Sequence, residues 1–268
     1  MAKNILRIVH KIARIIFNLT NVVHFAFIIH FANSVKIPGM FDTYGGRWKF
    51  LTNWNLHLQL VYFTVGLCNE LFGSQKIPAN IDAASKLQNL RDFLFSTLAF
   101  PVGSFVTFSF WTLYVIDRNL IFPESLDKYY PLWANHMLHT TCLISQMIEM
   151  NTSFHGYSSK TKGCLTTIGF VLAYLGWVLY IAHNANFWVY PILEKLPLIG
   201  RILFFGGCGA VLGLLYLGGE YVNGKLWALS VKPSKVKSEP ATADEPPVPT
   251  HNYNTRLRTS RSKVAKTD

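Results

Sequence analysis

The sequence predicts an all-α polytopic membrane bundle of six transmembrane helices, followed by a disordered basic C-terminal tail. Three observations predict it. Half of the 268 residues are hydrophobic and only 15% are charged, against about a quarter charged in ordinary soluble domains. The apolar residues are also gathered: Leu94 to Ile116 runs 23 residues without Asp, Glu, Lys or Arg, Cys164 to Ala182 runs 19, and Ile202 to Gly219 runs 18. Each run is about as long as a helix needs to cross a hydrocarbon core roughly 30 Å thick. Finally, the formal charge of +11 falls mostly on the chain ends and one flank. Soluble enzymes, secreted disulfide scaffolds and nucleic-acid-binding domains do not fit this distribution.

The spans follow in order. The first, 12–32, holds Asn18, Asn21, His24 and His30. Before it, Lys3, Arg7, Lys11 and Arg14 alternate with Ile5, Leu6, Ile8, Val9 and Ile12 at helical spacing, and no small-residue cleavage site follows. This reads as a basic amphipathic lead-in with its cations at anionic headgroups. The second span, 51–71, carries Asn53, Asn55, His57 and Gln59; the third, 94–116, should bend at Phe-Pro101-Val-Gly103. The fourth, 131–150, holds Asn135, His136, His139, Gln146 and Glu149, and the last two, 164–183 and 202–220, are plainly apolar. Backbone groups in lipid must be satisfied within their own segment, so helices are the natural form. No internal repeat suggests an inverted-repeat transporter. The spans make up one domain, 1–227, and the Pro-, Ser- and Lys-rich segment 228–268 should remain disordered.

An even number of spans puts both termini on one side. That side collects 18 of the 25 Lys and Arg residues, or nine against seven when the tail is left out, so both termini are expected to be cytoplasmic. The expected location is the endoplasmic reticulum or plasma membrane. Arg256, Arg258, Arg261, Lys263 and Lys266 read as a solvated tail near anionic lipid, with no nucleic-acid partner; Arg256-Leu-Arg258 also matches an arginine-type retrieval signal. Cys68, Cys142, Cys164 and Cys208 lie in or at the ends of spans, which argues against a disulfide framework. Asn151-Thr-Ser and Asn18-Leu-Thr match glycosylation acceptors but fall in a cytoplasmic loop and inside a span, so neither should be modified.

Polar side chains at bilayer depth are costly and need a reason. Asn135, His139, Cys142, Gln146 and Glu149 lie on one helical face of the fourth span, and Thr52, Asn55, Gln59 and Tyr62 on one face of the second. Two such faces most simply point at each other. They could serve only as interhelical hydrogen bonds, or line a cavity for chemistry or transport. Thr52 stands near the start of its helix, and His139 is about 8 residues, or roughly 12 Å, into its own, so both could line one cavity. A hydroxyl needs a base to act as a nucleophile, and histidine is the usual one. Thr52 and His139 are therefore the candidate catalytic pair, with Asn135, Asn55 or a backbone amide as candidate oxyanion donors. His136 and His139 are three apart, as metal ligands can be, but the other histidines are scattered singly. Neither metal nor cofactor is expected.

Several motifs in order resemble the family of androgen-induced and androgen-dependent TFPI-regulating membrane proteins. They are Tyr44-Gly-Gly-Arg-Trp-Lys-Phe-Leu-Thr52, Leu90-Arg-Asp92, Ala99-Phe-Pro-Val-Gly103, Asn135-His-Met-Leu-His-Thr-Thr141, Trp188-Val-Tyr-Pro191 and Tyr216-Leu-Gly-Gly-Glu220. The resemblance spans roughly residues 12–225. One departure is Gly218, where the family carries another residue before the Gly-Glu pair. The resemblance implies a six-span hydrolase that cleaves fatty acid esters of hydroxy fatty acids with an intramembrane threonine nucleophile and a histidine. By motif position these are Thr52 and His139. The expected partners are then membrane lipids and a fatty acid ester substrate. The competing reading is a non-enzymatic membrane regulator or scaffold whose polar stripes only hold helices together.

Overall fold

The computed structural model describes residues 2–77, 81 and 83–228. The disorder expected after residue 228 and the signal at Arg256–Arg258 lie outside the described residues. The described chain is helical, in the order α1 (Ala2–Ser34), α2 (Leu51–Phe72), α3 (Lys86–Leu94), α4 (Phe100–Asp117), α5 (Leu132–His139), α6 (Thr141–Thr152), α7 (Lys160–Ala185), α8 (Pro191–Lys195) and α9 (Leu198–Ala228). Four stretches are long and apolar enough to cross a membrane: Asn4–Ser34, Lys86–Leu120, Lys160–Ala185 and Leu198–Ala228. The second and fourth expected spans are also helical, as α2 and α5–α6, but do not meet that standard. α2 has the length yet buries Asn55, Gln59, Asn69 and Glu70, and α5–α6 is interrupted at Thr140.

Pro101 acts where expected. It has no N–H to give the carbonyl of Thr97, four residues back. Thr167 of α7 fills the gap, its hydroxyl donating to Thr97 O at 2.7 Å. The chain from α3 to α4 widens into a π-turn over Phe95–Ala99, and the Phe100 N–H reaches back to Phe95 O. The Gln59 side chain of α2 donates to Ala99 O at 2.9 Å.

The connections alternate between two ends of the bundle. At one end the 35–50 connection meets α7 and the segment after it: the Leu51 N–H donates to Tyr190 Oη (3.0 Å), and Tyr174 Oη donates to Lys49 O (2.9 Å). At the other end, Arg91 donates to Phe154 O (2.8 Å) and Trp227 to Met150 O (3.1 Å). α2 and α5–α6 run parallel in a constant register, because Thr52–His139, Gln59–Gln146 and Tyr62–Glu149 are all bonded pairs 87 residues apart. The two polar faces read from the sequence do meet.

Arg14 departs from expectation. It is 3% exposed and not at the headgroups. It donates to Glu70 at 2.6 Å and to Glu149 at 2.9 Å, so two buried carboxylates hold it inside the bundle. Isolated charges could not be buried at that depth, and the pairing supplies the reason they are tolerated. Arg7 and Lys11 on the same helix are exposed, as read.

Candidate functional site

Thr52 is the second residue of α2, and the turn before it is held from three sides. Gly45 has φ +80°, a conformation that costs other residues because their Cβ meets the carbonyl. A Cβ there would also lie 2.9 Å from Ile181. This turn sends Gly46–Lys49 into a short 3₁₀ segment directly ahead of α2. Tyr174 and Tyr190 are hydrogen-bonded to each other (2.8 Å) and seize Lys49 O and Leu51 N–H respectively. Burial pushes the proton affinity of the Tyr190 phenol up, so it stays neutral while its oxygen accepts from the Leu51 N–H of this turn.

From the other side, His139 comes from the C-terminal end of α5. Its Nε2 is 3.2 Å from Thr52 Oγ1. Its Nδ1 faces two Asn135 oxygens, the side-chain Oδ1 at 2.9 Å and the backbone carbonyl at 3.2 Å. A backbone carbonyl can only accept, so Nδ1 carries the hydrogen and Nε2 presents its lone pair to the threonine. Phe110 of α4 fixes the ring plane, stacking on the imidazole at 3.6 Å between centroids with 4° between planes. His139 and Asn135 are buried and Thr52 is partly buried. His136 is exposed, and its Nδ1 meets Thr140 Oγ1 at 3.1 Å.

The other sequence candidates are placed differently. Asn55 is fully buried one turn below Thr52, accepting from Gln59 at 2.9 Å. Asn135 is committed to orienting His139, a role the sequence reading had not given it, although the four-residue spacing was its signal. Both bonds engage side-chain oxygens, so the Asn55 and Asn135 amide N–H groups stay among the candidate oxyanion donors beside the backbone amides. In the first turn of α2 the Leu51 N–H is taken by Tyr190 and the Asn53 N–H by Phe50 O (3.0 Å). The Thr52 amide lies between them, at the positive end of the helix. Among the described residues, no group of three or more His, Cys, Asp or Glu is placed to hold a metal ion.

Two chambers meet at Thr52. One encloses about 1000 Å³, part of it open to its surroundings, and is walled by apolar side chains of α4, α7 and α9, including Val102, Val106, Phe170, Val171 and Phe205. Among the described residues, no charged side chain lines it. The other encloses about 690 Å³ and is walled by Phe41, Phe122, Leu126, Leu138, Tyr130 and Arg47, with His139 at its floor. Thr52, Phe110, Ile121 and Tyr190 belong to both walls. The apolar chamber shares Val171, Leu175, Phe205 and Leu212 with a further gap between α7 and α9.

A second polar cluster lies at the other end of α2, about 27 Å from Thr52 by helical rise. Arg14, Glu70 and Glu149 make its first half. Arg91 pairs with Asp92 at 2.6 Å, and His155 lies between Asp92 (3.2 Å) and Glu149 (3.5 Å), stacked on Phe95. The Leu90-Arg-Asp92 motif therefore ties helix ends together far from the candidate pair. Gly219 of the Gly-Gly-Glu motif admits α9 against Phe100 and Tyr157, since a Cβ there would meet both at 2.7 Å. Gly218 has open space beside it, so the one departure from the family pattern falls where any side chain fits.

Comparison with known proteins agrees with these motifs. The family described as FAR-17a/AIG1-like protein matches residues 13–224. Human androgen-induced gene 1 protein is 38% identical over 214 residues, covering 77% of this chain and 88% of that protein. Human androgen-dependent TFPI-regulating protein is 35% identical over 191 residues, 71% of this chain and 82% of that one. A membrane protein of Schizosaccharomyces pombe is 24% identical over 168 residues, 61% and 69% of the two chains. No solved structure matches the chain. With its family match spanning most of the chain and its four apolar helices, the protein belongs to the FAR-17a/AIG1-like family of membrane proteins.

Proposed function

We propose that the protein is an intramembrane threonine hydrolase that cleaves fatty acid esters of hydroxy fatty acids. The observation that carries this reading is the 3.2 Å approach of Thr52 Oγ1 to the unprotonated Nε2 of His139, between two chambers. In the proposed topology the chain crosses the bilayer six times, with α2 and α5–α6 as the second and fourth spans, and both termini are cytoplasmic. The membrane is that of the endoplasmic reticulum or the cell surface. The ester enters laterally, its chains solvated by apolar helix faces; the shared wall of the apolar chamber and the α7–α9 gap supports that route.

The steps follow from the geometry. Thr52 Oγ1 attacks the ester carbonyl carbon as its proton passes to His139 Nε2. The imidazolium that forms is held by the Asn135 oxygens on Nδ1–H. The tetrahedral oxyanion is met by the Thr52 amide at the head of α2. Collapse breaks the ester bond, and His139 returns the proton to the departing alkoxide, releasing the hydroxy fatty acid. Water, with His139 again as base, attacks the acyl-threonine and frees the fatty acid.

Purified protein assayed against a panel of lipid esters and a fluorophosphonate probe tests the reading. Thr52→Ala and His139→Ala are expected to lower turnover by at least about 10³-fold with expression unchanged, and Thr52→Ala also to lose labelling. His136→Ala, at an exposed position bonded to Thr140, is expected to keep activity. Full activity in Thr52→Ala sinks the nucleophile assignment. No labelling and no turnover in the unaltered protein leaves the scaffold reading.

A further inference from the structure

Among the described residues, Arg47 is the one charged side chain in the walls of either chamber at Thr52. It belongs to the 3₁₀ turn ahead of α2, four residues from the interface end of that span. Its guanidinium lies 3.6 Å above the Phe41 ring, donates to Tyr130 Oη at 3.4 Å and to the carbonyl of Val35. Those contacts engage two of its five N–H donors. Arg14, Arg91 and Arg118 each hold a carboxylate of this chain, whereas Arg47 holds none among the described residues. A cation in a mostly apolar chamber, braced by neutral acceptors and left without a counter-ion, is built to receive an anion from outside the chain.

The two chambers divide the substrate's parts accordingly. A fatty acid ester of a hydroxy fatty acid has an uncharged acyl chain on one side of the scissile carbonyl. On the other side is an alcohol portion that ends in a free carboxylate. The chamber without charge suits the first and the chamber with Arg47 suits the second. Depth agrees with this division. The Arg47 chamber lies at the connection ahead of α2, where a carboxylate keeps contact with the interface, while the apolar chamber runs among α4, α7 and α9. We propose that Arg47 binds the free carboxylate of the substrate and thereby selects esters of hydroxy fatty acids over uncharged esters and sets which side of the ester faces Thr52.

This rests on the hydrolase reading, and the test separates the two. The measurement is the ratio of kcat/KM for a fatty acid ester of hydroxystearic acid to that for the same molecule with its carboxyl capped as a methyl ester. The unaltered protein should prefer the free acid by roughly 10- to 100-fold, the worth of hydrogen bonds to a charged group. Arg47→Gln should bring the ratio to about one, and Arg47→Lys should leave an intermediate value because it keeps the charge but not the fork. Arg7→Gln, which removes an exposed cation of α1 away from both chambers, should leave the ratio as it was.

The ratio is insensitive to a general loss of folded protein. A ratio in Arg47→Gln equal to that of the unaltered protein assigns Arg47 a structural role only and overturns the proposal. A ratio near one in the unaltered protein overturns it without any variant. Competition gives an arm that needs no variant either: oleic acid should protect Thr52 from fluorophosphonate labelling at lower concentration than methyl oleate does, and equal protection counts against the proposal. Turnover that survives Thr52→Ala defeats the nucleophile assignment while the Arg47 ratio still reads carboxylate selection. Absence of any ester turnover defeats both.

Discussion

At the scale of single residues, the candidate pair was visible in sequence and its support was not. Thr52 and His139 stood on two polar faces whose spacing could be counted, so their meeting was an inference from periodicity. The roles of Asn135 and Tyr190 depend on which atom of each side chain points where, and periodicity does not carry that information. Asn135 supplies both acceptors to His139 Nδ1. Loss of its side chain leaves the backbone carbonyl at 3.2 Å but removes the shorter bond, so the ring can rock about its own axis. Displacement of a base by about 1 Å can cost on the order of 100-fold. Asn135→Ala should therefore lower kcat by roughly 10- to 100-fold with KM little changed, and Asn135→Asp, which keeps the acceptor, should lose less. Steady-state kinetics on an uncharged ester would read this without interference from Arg47. Equal rates in all three proteins would leave the backbone carbonyl as sufficient orienter.

At the scale of elements, four helices are long and apolar enough to cross a membrane, and the two that carry the candidate site, read as spans from the sequence, do not meet that standard. The reason is physical. Gln59, Tyr62, Gln146 and Glu149 are polar by composition, yet each is bonded to a partner inside the bundle, so the helices present little of that polarity outward. A scale that scores residues singly cannot credit a bond between two of them. The break at Thr140, which ends α5 at His139, was likewise not foreseen. The apolar chamber between α4, α7 and α9 could not be read from sequence at all, since it is a gap between faces that each look like ordinary lipid-facing surface. It carries its own prediction. Val171 stands in the wall common to that chamber and the α7–α9 gap. In Val171→Phe the added ring should displace about two methylenes of a long acyl chain, each worth about 0.8 kcal/mol. Turnover of a 16-carbon acyl ester should fall by roughly 10-fold relative to a 4-carbon one. A chain-length series on the variant checks it, and an unchanged preference would place the acyl chain elsewhere.

At the scale of the whole molecule, two polar layers stand at the two ends of the α2 and α5–α6 seam, with the Gln59–Gln146 bond between them. One holds Thr52, His139 and Arg47; the other holds Arg14, Glu70, Glu149, Arg91, Asp92 and His155. The second layer ties the ends of α1, α2, α3 and α6, so those ends lie on a common side. Charge bias in the sequence assigned that side to the cytoplasm by a margin of only nine cations to seven outside the tail. The structure adds that Arg14, one of the nine, is spent inside the bundle on Glu70 and Glu149. Orientation is therefore open to a direct measurement. Asn151 of the native Asn-Thr-Ser acceptor is exposed at the end of α6, in the second layer's half, where its side chain donates to Met147 O at 2.7 Å. In the proposed topology it faces the cytoplasm and stays unmodified despite its exposure. An Asn-Gly-Thr acceptor on a flexible spacer inserted after Ser125, in the connection on the Thr52 side, faces the lumen and should gain one glycan. Endoglycosidase digestion of the two proteins from a eukaryotic expression host, followed by gel mobility, reads both sites. A glycan on Asn151 together with none after Ser125 would invert the bundle and turn the Arg47 chamber toward the cytoplasm.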